Sequence, residues 1–439
     1  MKLQARRPTA QRTQGMTTQQ PLSSASGLQS GPELGKSNDD DWETGQLSAP
    51  EQRVCSPGYK CPIRERLKHF TWAWFAVTIS TGVLGLLFHN TPNRFDGLNA
   101  IGKVAFILAI AMFLISVAAI TYRFIKTPKG LRTSLLHPTE GLFFPAFLLS
   151  LAIILANSAI YGIPASGPWL PVALRVCFWI YAALAISSSV LQYTMVFKGA
   201  KLKIKSMSPL WIFPIFPTLL TGVLASTIAP SQPPSQRLPI LVAGVTYLGL
   251  GFSVAFILYA LYLHRLTQEG FPAPPMRPGM FIAVGPPGFT ATGLIGLSRS
   301  IPNDYAYFAR FPAASQILKV LALWVGIWLW ALAFWFFAFS LIALLMGIAR
   351  KRIRFSLAWW AIVFPNTAFT IATCLIGEEL DSDGIKGVAS AMTILIVIAW
   401  LVVLGSHVRA VILSKVLWPG RDEDFGHYTP NKDKSVVSH

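Results

Sequence analysis

Ten apolar stretches, each close to the length that crosses a bilayer, follow one another along most of the chain. A helix of about 20 apolar residues spans the hydrocarbon core, because it satisfies its backbone hydrogen bonds within one segment. The sequence therefore predicts an all-α membrane protein with ten transmembrane helices, at about residues 70–88, 101–124, 143–162, 172–196, 209–228, 239–263, 280–298, 317–348, 356–376 and 387–412.

The composition agrees with a chain that is mostly embedded in a lipid bilayer. Of the 439 residues, 53% are hydrophobic and 13% are charged, whereas soluble domains carry about 25% charged residues. The net charge of +18 comes largely from short loops between the apolar stretches. Basic loops of this kind orient a membrane protein, so the charge does not indicate a nucleic-acid partner.

The polarity of the chain divides it into three parts. Residues 1–66 are polar and rich in Ser, Gln, Gly and Pro, which predicts a disordered N-terminal tail. Residues 67–413 form the ten-helix transmembrane domain, and residues 414–439 form a C-terminal tail. Lysine and arginine concentrate after predicted spans 2, 4, 6 and 8, and this bias predicts that both tails are cytoplasmic.

Prolines recur inside the odd-numbered spans, at intervals of about 65–80 residues. They interrupt the motifs FFPAF, IFPIFP, VGPPGF and VFPNT, and span 1 carries TISTG at a comparable depth. A recurring break indicates a repeated helical hairpin, and broken backbone survives in a membrane only where protein or a wet cavity surrounds it. We therefore expect five odd spans around one axis, with helix breaks at Pro145, Pro214, Pro217, Pro286, Pro287 and Pro365.

Polar side chains near these breaks are candidates for lining a pore. An alternative is that each hydroxyl bonds the backbone of its own helix. The candidates are Thr78, Ser80, Thr81, Asn157, Ser158, Thr218, Thr221, Thr290, Thr292, Asn366, Thr367 and Thr370.

Motifs of catalysis are missing from the sequence. The predicted spans contain no paired carboxylates, and the sequence has no HExxH, phosphate-binding loop or nucleophile elbow. These absences argue against an intramembrane enzyme and predict no catalytic residues, no metal site and no cofactor. Repeated breaks at membrane depth also argue against a purely structural or receptor role. The glycines of GLGFSVAF (249–256) and GPPGFTATG (285–293) are interpreted as sites of close helix packing.

Two motifs carry a resemblance to a known family. HFTWAWFAVTISTGVLGLL (69–87) and AWWAIVFPNTAF (358–369), together with the broken odd spans, resemble the tellurite-resistance/dicarboxylate transporter family, which includes the plant slow anion channels. The similarity covers about residues 68–412, and the fungal malic acid transporter branch looks closest. The resemblance implies five hairpins in a quasi-fivefold arrangement around a central pore, a homotrimer and a plasma-membrane location.

The resemblance also implies a gate and a substrate. A phenylalanine before the span-9 proline plugs the pore in this family, and Phe364 matches it. The expected substrates are C4-dicarboxylates such as malate and succinate, with efflux of sulfite or another small inorganic anion as the alternative. His69 and Arg123 on the cytoplasmic side, and Arg299 and Arg310 on the other side, are candidates for attracting the anion.

Overall fold

Ten long helices, here called spans 1 to 10, dominate the computed structural model, which describes residues 62–127, 130–137, 139–199, 204–350 and 354–418. Most of both predicted tails lies outside these residues. The spans are Trp72–Asn90, Leu98–Lys126, Gly141–Ala165, Trp169–Lys198, Pro209–Ser231, Pro234–Glu269, Pro274–Ser298, Ala313–Ala349, Leu357–Glu379 and Asp383–Ile412. The predicted all-helical fold with ten spans is confirmed.

Short helices connect or precede the spans: Ile63–Arg66, Leu67–His69, Gly130–Leu136, Ile204–Ser206 and Tyr307–Arg310. Span 6 begins five residues earlier than predicted, so Pro239 lies inside its helix. Pro239 is the first residue of the predicted span 6. It is the sixth residue of the observed helix, where it removes the hydrogen bond to the carbonyl of Ser235.

Each odd span changes helix type along its length. It begins as a 3-10 helix, here called its 3-10 segment, and continues as an α-helix, here called its α segment. The 3-10 segments are Trp72–Trp74, Gly141–Phe143, Pro209–Ile215, Pro274–Val284 and Leu357–Ile362. The α segments are Phe75–Asn90, Pro145–Asn157, Phe216–Ile228, Gly285–Ser298 and Phe364–Glu379.

The prolines of the odd spans have a different role from the predicted one. We expected them to interrupt α-helices, but Pro145, Pro217, Pro286 and Pro365 occupy the first or second position of an α segment. The amide of a residue at this position has no partner within its helix, so proline costs nothing there and its fixed φ favours the helix. The prolines therefore start the α segments, and Pro214 lies within the preceding 3-10 segment.

The odd spans lie inside the molecule and the even spans lie outside. Between 61% and 94% of the apolar part of each odd span is buried, against 22% to 33% for the even spans. The α segments of spans 1, 3, 5, 7 and 9 contact one another in that order, and span 9 contacts span 1. These contacts close a ring of odd spans, as the sequence predicts. Their quasi-fivefold symmetry stays a prediction.

Glycines allow the helices of this ring to approach closely. A Cβ atom at Gly288 of span 7 would lie 2.9 Å from the backbone nitrogen of Phe369 of span 9, and one at Gly251 of span 6 would lie 2.6 Å from the Cβ of Leu219. Real Cβ atoms do not approach so closely, so a larger side chain would separate the helices. The packing interpretation is confirmed for Gly251 and Gly288, whereas Gly249 of the first motif has no atom within 4 Å of the position of its Cβ.

Candidate functional site

Three phenylalanines from three odd spans meet inside the ring, and we call this group the aromatic layer. Phe364 of span 9 contacts both Phe216 of span 5 and Phe289 of span 7, with ring centroids 5.9 Å and 5.1 Å apart. Both distances fall in the range of favourable aromatic contacts. All three rings are buried, Phe364 being 5% exposed. The layer crosses the interior where the α segments of spans 5 and 9 begin.

The direction of Phe364 follows from the phase of its helix. Thr373 faces outward, because its hydroxyl accepts a hydrogen bond of 2.8 Å from Nε1 of Trp330 in span 8. Phe364 lies nine residues before Thr373, which is two and a half turns and therefore the opposite face. Ile371 lies two turns after Phe364, on the same face. The inward face of span 9 thus carries the apolar residues Phe364 and Ile371, with Thr367 beside them.

Several predicted lining residues face away from the interior, contrary to the prediction. The Thr81 hydroxyl contacts Met112 of span 2 and accepts from Trp400 of span 10. Thr218 donates to the carbonyl of Ala185 in span 4. Asn366 lies two turns before Thr373 and therefore shares the outward face of span 9.

Other predicted lining residues join neighbouring odd spans. Ser80 of span 1 donates to the carbonyl of Trp360 in span 9, Thr292 of span 7 donates to the carbonyl of Ala368, and Asn157 of span 3 donates to the carbonyl of Gly82. The remaining hydroxyls with a partner bond a carbonyl four residues earlier in their own helix: Ser158, Thr221, Thr290, Thr367 and Thr370.

Thr78 differs from these residues. Its hydroxyl is buried and has no hydrogen-bond partner within the part of the chain that the structure describes, and the same is true of the side-chain oxygens of Asn157 and Asn366.

Most of the other hydroxyls are satisfied within their own helix, which is the simplest solution in apolar surroundings. The abundance of Thr and Ser in the odd spans therefore reflects buried helices more directly than a polar pore wall.

Arg123, which the loop charges predict to lie on the cytoplasmic side, forms a buried ion pair with Glu140, a residue that sequence reasoning missed. Two guanidinium nitrogens of Arg123 donate to the two carboxylate oxygens, and Nη1 also donates to the carbonyl of Phe70 at 2.7 Å. Ser134 joins the carboxylate to the indole of Trp72. The charge of Arg123 is therefore balanced within the fold, and this network ties spans 1 and 2 to the segment before span 3.

The candidates on the opposite side differ from each other. Arg299, at the end of span 7, donates to Glu378 at 3.0 Å and to Glu379 at 2.5 Å, and so joins the ends of spans 7 and 9. Arg310 is exposed at the end of a short helix.

His69, the second candidate predicted to lie on the same side as Arg123, is buried near the start of the described chain. The roles of these candidates toward an anion stay predictions.

His407 is a second residue that sequence reasoning missed. Its Nδ1 accepts a hydrogen bond of 2.9 Å from the indole of Trp360, and its ring contacts Trp74 with centroids 4.8 Å apart. His407 therefore holds Trp360, which lies four residues before Phe364. No motif in the sequence identifies this contact, because the partners are 47 residues apart.

Replacing His407 with leucine should destabilise the protein by roughly 1–3 kcal/mol, because the buried indole N–H of Trp360 then loses its acceptor. His407→Asn should lose less, because its Oδ1 lies where the histidine Nδ1 lies. The measurement is the thermal unfolding midpoint of the purified protein in detergent. Equal losses in the two variants would contradict the importance of this hydrogen bond.

Comparison with known proteins agrees with this architecture. A malic acid transport protein of Schizosaccharomyces pombe is 34% identical over 86% of both chains. A putative malic acid transport protein of the same yeast is 33% identical over 86% of this chain and 88% of its own. The sulfite efflux pump SSU1 of Trichophyton rubrum is 23% identical over 77% of this chain and 89% of its own. These relatives are transporters and not enzymes.

The family match covers the spans that form the ring. Residues 69–408 match the SLAC1 family, described as voltage-dependent anion channel, and this range begins at the HFTWAWF motif and ends within span 10. The chain is thus an integral, multi-pass membrane protein of the SLAC1 anion channel and transporter family.

Proposed function

We propose that this protein moves malate and related C4-dicarboxylates, such as succinate, across a membrane. The observation that carries the choice of substrate is the identity of 34% with the malic acid transport protein of Schizosaccharomyces pombe, over 86% of both chains. The sulfite efflux pump of Trichophyton rubrum is less similar, at 23% identity. Sulfite or another small inorganic anion is therefore the second candidate substrate.

The proposed path runs through the ring of odd spans, and Phe364 is its gate. This proposal is supported by the ring of contacts among the α segments and by the inward direction of Phe364. An apolar constriction stops ions because it disfavours water. Movement of the Phe364 side chain out of the aromatic layer would open the path, and its return would close the path.

A path without fixed charges suits an anion that must leave as readily as it enters. Fixed positive charges along the path would bind a dicarboxylate strongly and slow its release, whereas backbone dipoles hold it weakly. The proposed attraction is therefore confined to the two ends. Arg299 and Arg310 act at one end. The candidates at the other end, His69 and Arg123, are buried, and Arg123 is paired with Glu140. Arg299 forms ion pairs with two glutamates, which offset its positive charge. Arg310 is exposed and is therefore the stronger candidate for attracting an anion.

The proposed setting is the plasma membrane, with both termini in the cytoplasm. The distribution of lysine and arginine among the loops supports this orientation. We further propose a homotrimer in which every protomer has its own path. The exposed apolar faces of the even spans would then face lipid or a neighbouring protomer.

Malate should compete with labelled succinate for uptake into vesicles that contain the purified protein, and sulfite should compete poorly. The reason is that a path selected for a four-carbon dianion offers it more favourable contacts than a small inorganic anion. The measurement compares malate, succinate, sulfite, nitrate and chloride with protein-free vesicles as the control. Strong sulfite flux without malate flux would assign the protein to the second candidate function.

A further inference from the structure

Phe216 repeats the setting of Phe364 in a different span. Each phenylalanine is the first residue of an α segment and is followed directly by a proline, Pro217 in span 5 and Pro365 in span 9. The two rings meet with centroids 5.9 Å apart, and Phe216 is completely buried. The start of span 5 therefore presents an aromatic ring to the ring of Phe364.

Span 7 has a glycine where spans 5 and 9 have these phenylalanines. Gly285 is the first residue of its α segment and is followed by a proline. A Cβ atom at Gly285 would lie 2.8 Å from Cζ and 2.9 Å from Cε1 of Phe216, and 3.5 Å from the Cβ of Pro365. The ring of Phe216 thus fills the space that a side chain at position 285 would need.

The backbone does not explain this glycine. Gly285 has φ −63° and ψ −54°, which is ordinary helical geometry that any residue adopts. What glycine contributes at this position is the absence of a side chain. Because Gly285 of span 7 has no side chain, the aromatic ring of Phe216 from span 5 can pack directly against the backbone of span 7.

We propose that Phe216 is a second element of the barrier and that Gly285 sets the position of its ring. This inference rests on the proposed function, in which Phe364 gates an anion path. Phe364 then closes against the side chain of Phe216, whose position is fixed, and it also contacts Phe289 with ring centroids 5.1 Å apart. The width of the path after Phe364 moves is consequently determined by Phe216.

A methyl group at position 285 provides a directional test of this arrangement. Phe216 also contacts Phe213, with centroids 5.5 Å apart, so its ring cannot move freely in that direction. When Phe364 is replaced with alanine, the open space lies beside Phe216. Gly285→Ala should then push the ring of Phe216 into this space and narrow the path again.

The experiment measures malate flux per folded protein in vesicles, with Phe364→Ala as the open background. Adding Gly285→Ala should lower the flux at least about threefold, which is within the coupling expected for residues in contact. Adding Phe216→Ala as well should abolish the effect of Gly285→Ala, because no ring remains to be displaced. Phe216→Ala alone should raise the flux of the otherwise unchanged protein.

Two controls separate this effect from general damage. Gly279→Ala adds a methyl group to the same span where the nearest atom would be 4.0 Å away, and it should leave the flux unchanged. Phe369→Ala removes a buried ring of span 9 that contacts Trp330 and Phe337 of span 8. It should lower the yield of folded protein without raising the flux per folded protein.

The outcomes distinguish the inference from the function on which it rests. If Phe364→Ala raises the flux but the effect of Gly285→Ala is the same with and without Phe216, the inference is wrong and the gate proposal stands. If neither the unchanged protein nor Phe364→Ala carries malate, succinate, sulfite, nitrate or chloride above protein-free vesicles, the proposed function itself is wrong.

Discussion

Replacing Phe364 with alanine should raise the basal anion flux by about tenfold or more, because removal of a barrier of only about 1.4 kcal/mol already gives a tenfold change in rate. The alanine lacks the aromatic side chain that Phe364 directs into the space enclosed by the odd spans. Phe364→Leu should raise the flux less, because leucine keeps much of the volume. The measurement is the flux of malate into vesicles, divided by the amount of folded protein.

Phe369→Ala is the matched control for this variant. Both positions lie in the α segment of span 9 and carry a buried phenylalanine, but Phe369 contacts the outer span 8. Loss of a packed ring should cost roughly 3–5 kcal/mol of stability and leave the flux per folded protein unchanged. Unchanged or reduced flux in well-folded Phe364→Ala would exclude Phe364 as the main gate.

Replacing Glu140 with alanine should destabilise the protein by roughly 3–5 kcal/mol, because it leaves the buried guanidinium of Arg123 without its carboxylate. The pair is almost completely buried, with side-chain exposures of 4% for Arg123 and 0% for Glu140. The measurement is the thermal unfolding midpoint in detergent. The expected large loss follows from an uncompensated charge and not from the value of the ion pair itself.

Glu65→Ala provides the control for this prediction. Glu65 pairs with Lys68 at 2.5 Å, but both side chains are 35% exposed, so its loss should cost about 0–1 kcal/mol. Replacing both partners of the buried pair, as in Arg123→Met with Glu140→Leu, should restore much of the stability that Glu140→Ala removes. Equal midpoints for Glu140→Ala and Glu65→Ala would contradict the assignment.

The arrangement of the spans was predictable from the spacing of the prolines. Pro145, Pro217, Pro287 and Pro365 recur at similar intervals, and irregular backbone at membrane depth requires surrounding protein. This argument places the odd spans inside without any knowledge of tertiary contacts. It does not predict that the prolines start the α segments, because the preceding 3-10 segments have no distinct sequence pattern.

The direction of individual side chains was less predictable. Thr81 and Thr218 are polar residues in inner helices, yet their hydroxyls bond outer spans. A helix buried on all sides has no polar face to reveal its rotation, so the phase depends on which neighbours surround it. Glu140 and His407 were missed for a similar reason, since their partners are distant in sequence.

In span 9 the 3-10 segment and the α segment meet at Val363, directly before Phe364, so a change of helix type at this residue would move the Phe364 side chain. A 3-10 helix turns about 120° and rises about 2.0 Å per residue, whereas an α-helix turns about 100° and rises about 1.5 Å. A residue that passes from one form to the other at Val363 therefore rotates the neighbouring Phe364 by about 20° and shifts it by about 0.5 Å. Such a screw motion re-aims a side chain while the amide of Val363 exchanges its acceptor, the carbonyl of Trp360, for that of the preceding residue, so an aromatic side chain can leave its neighbours without a hinge or a moving loop.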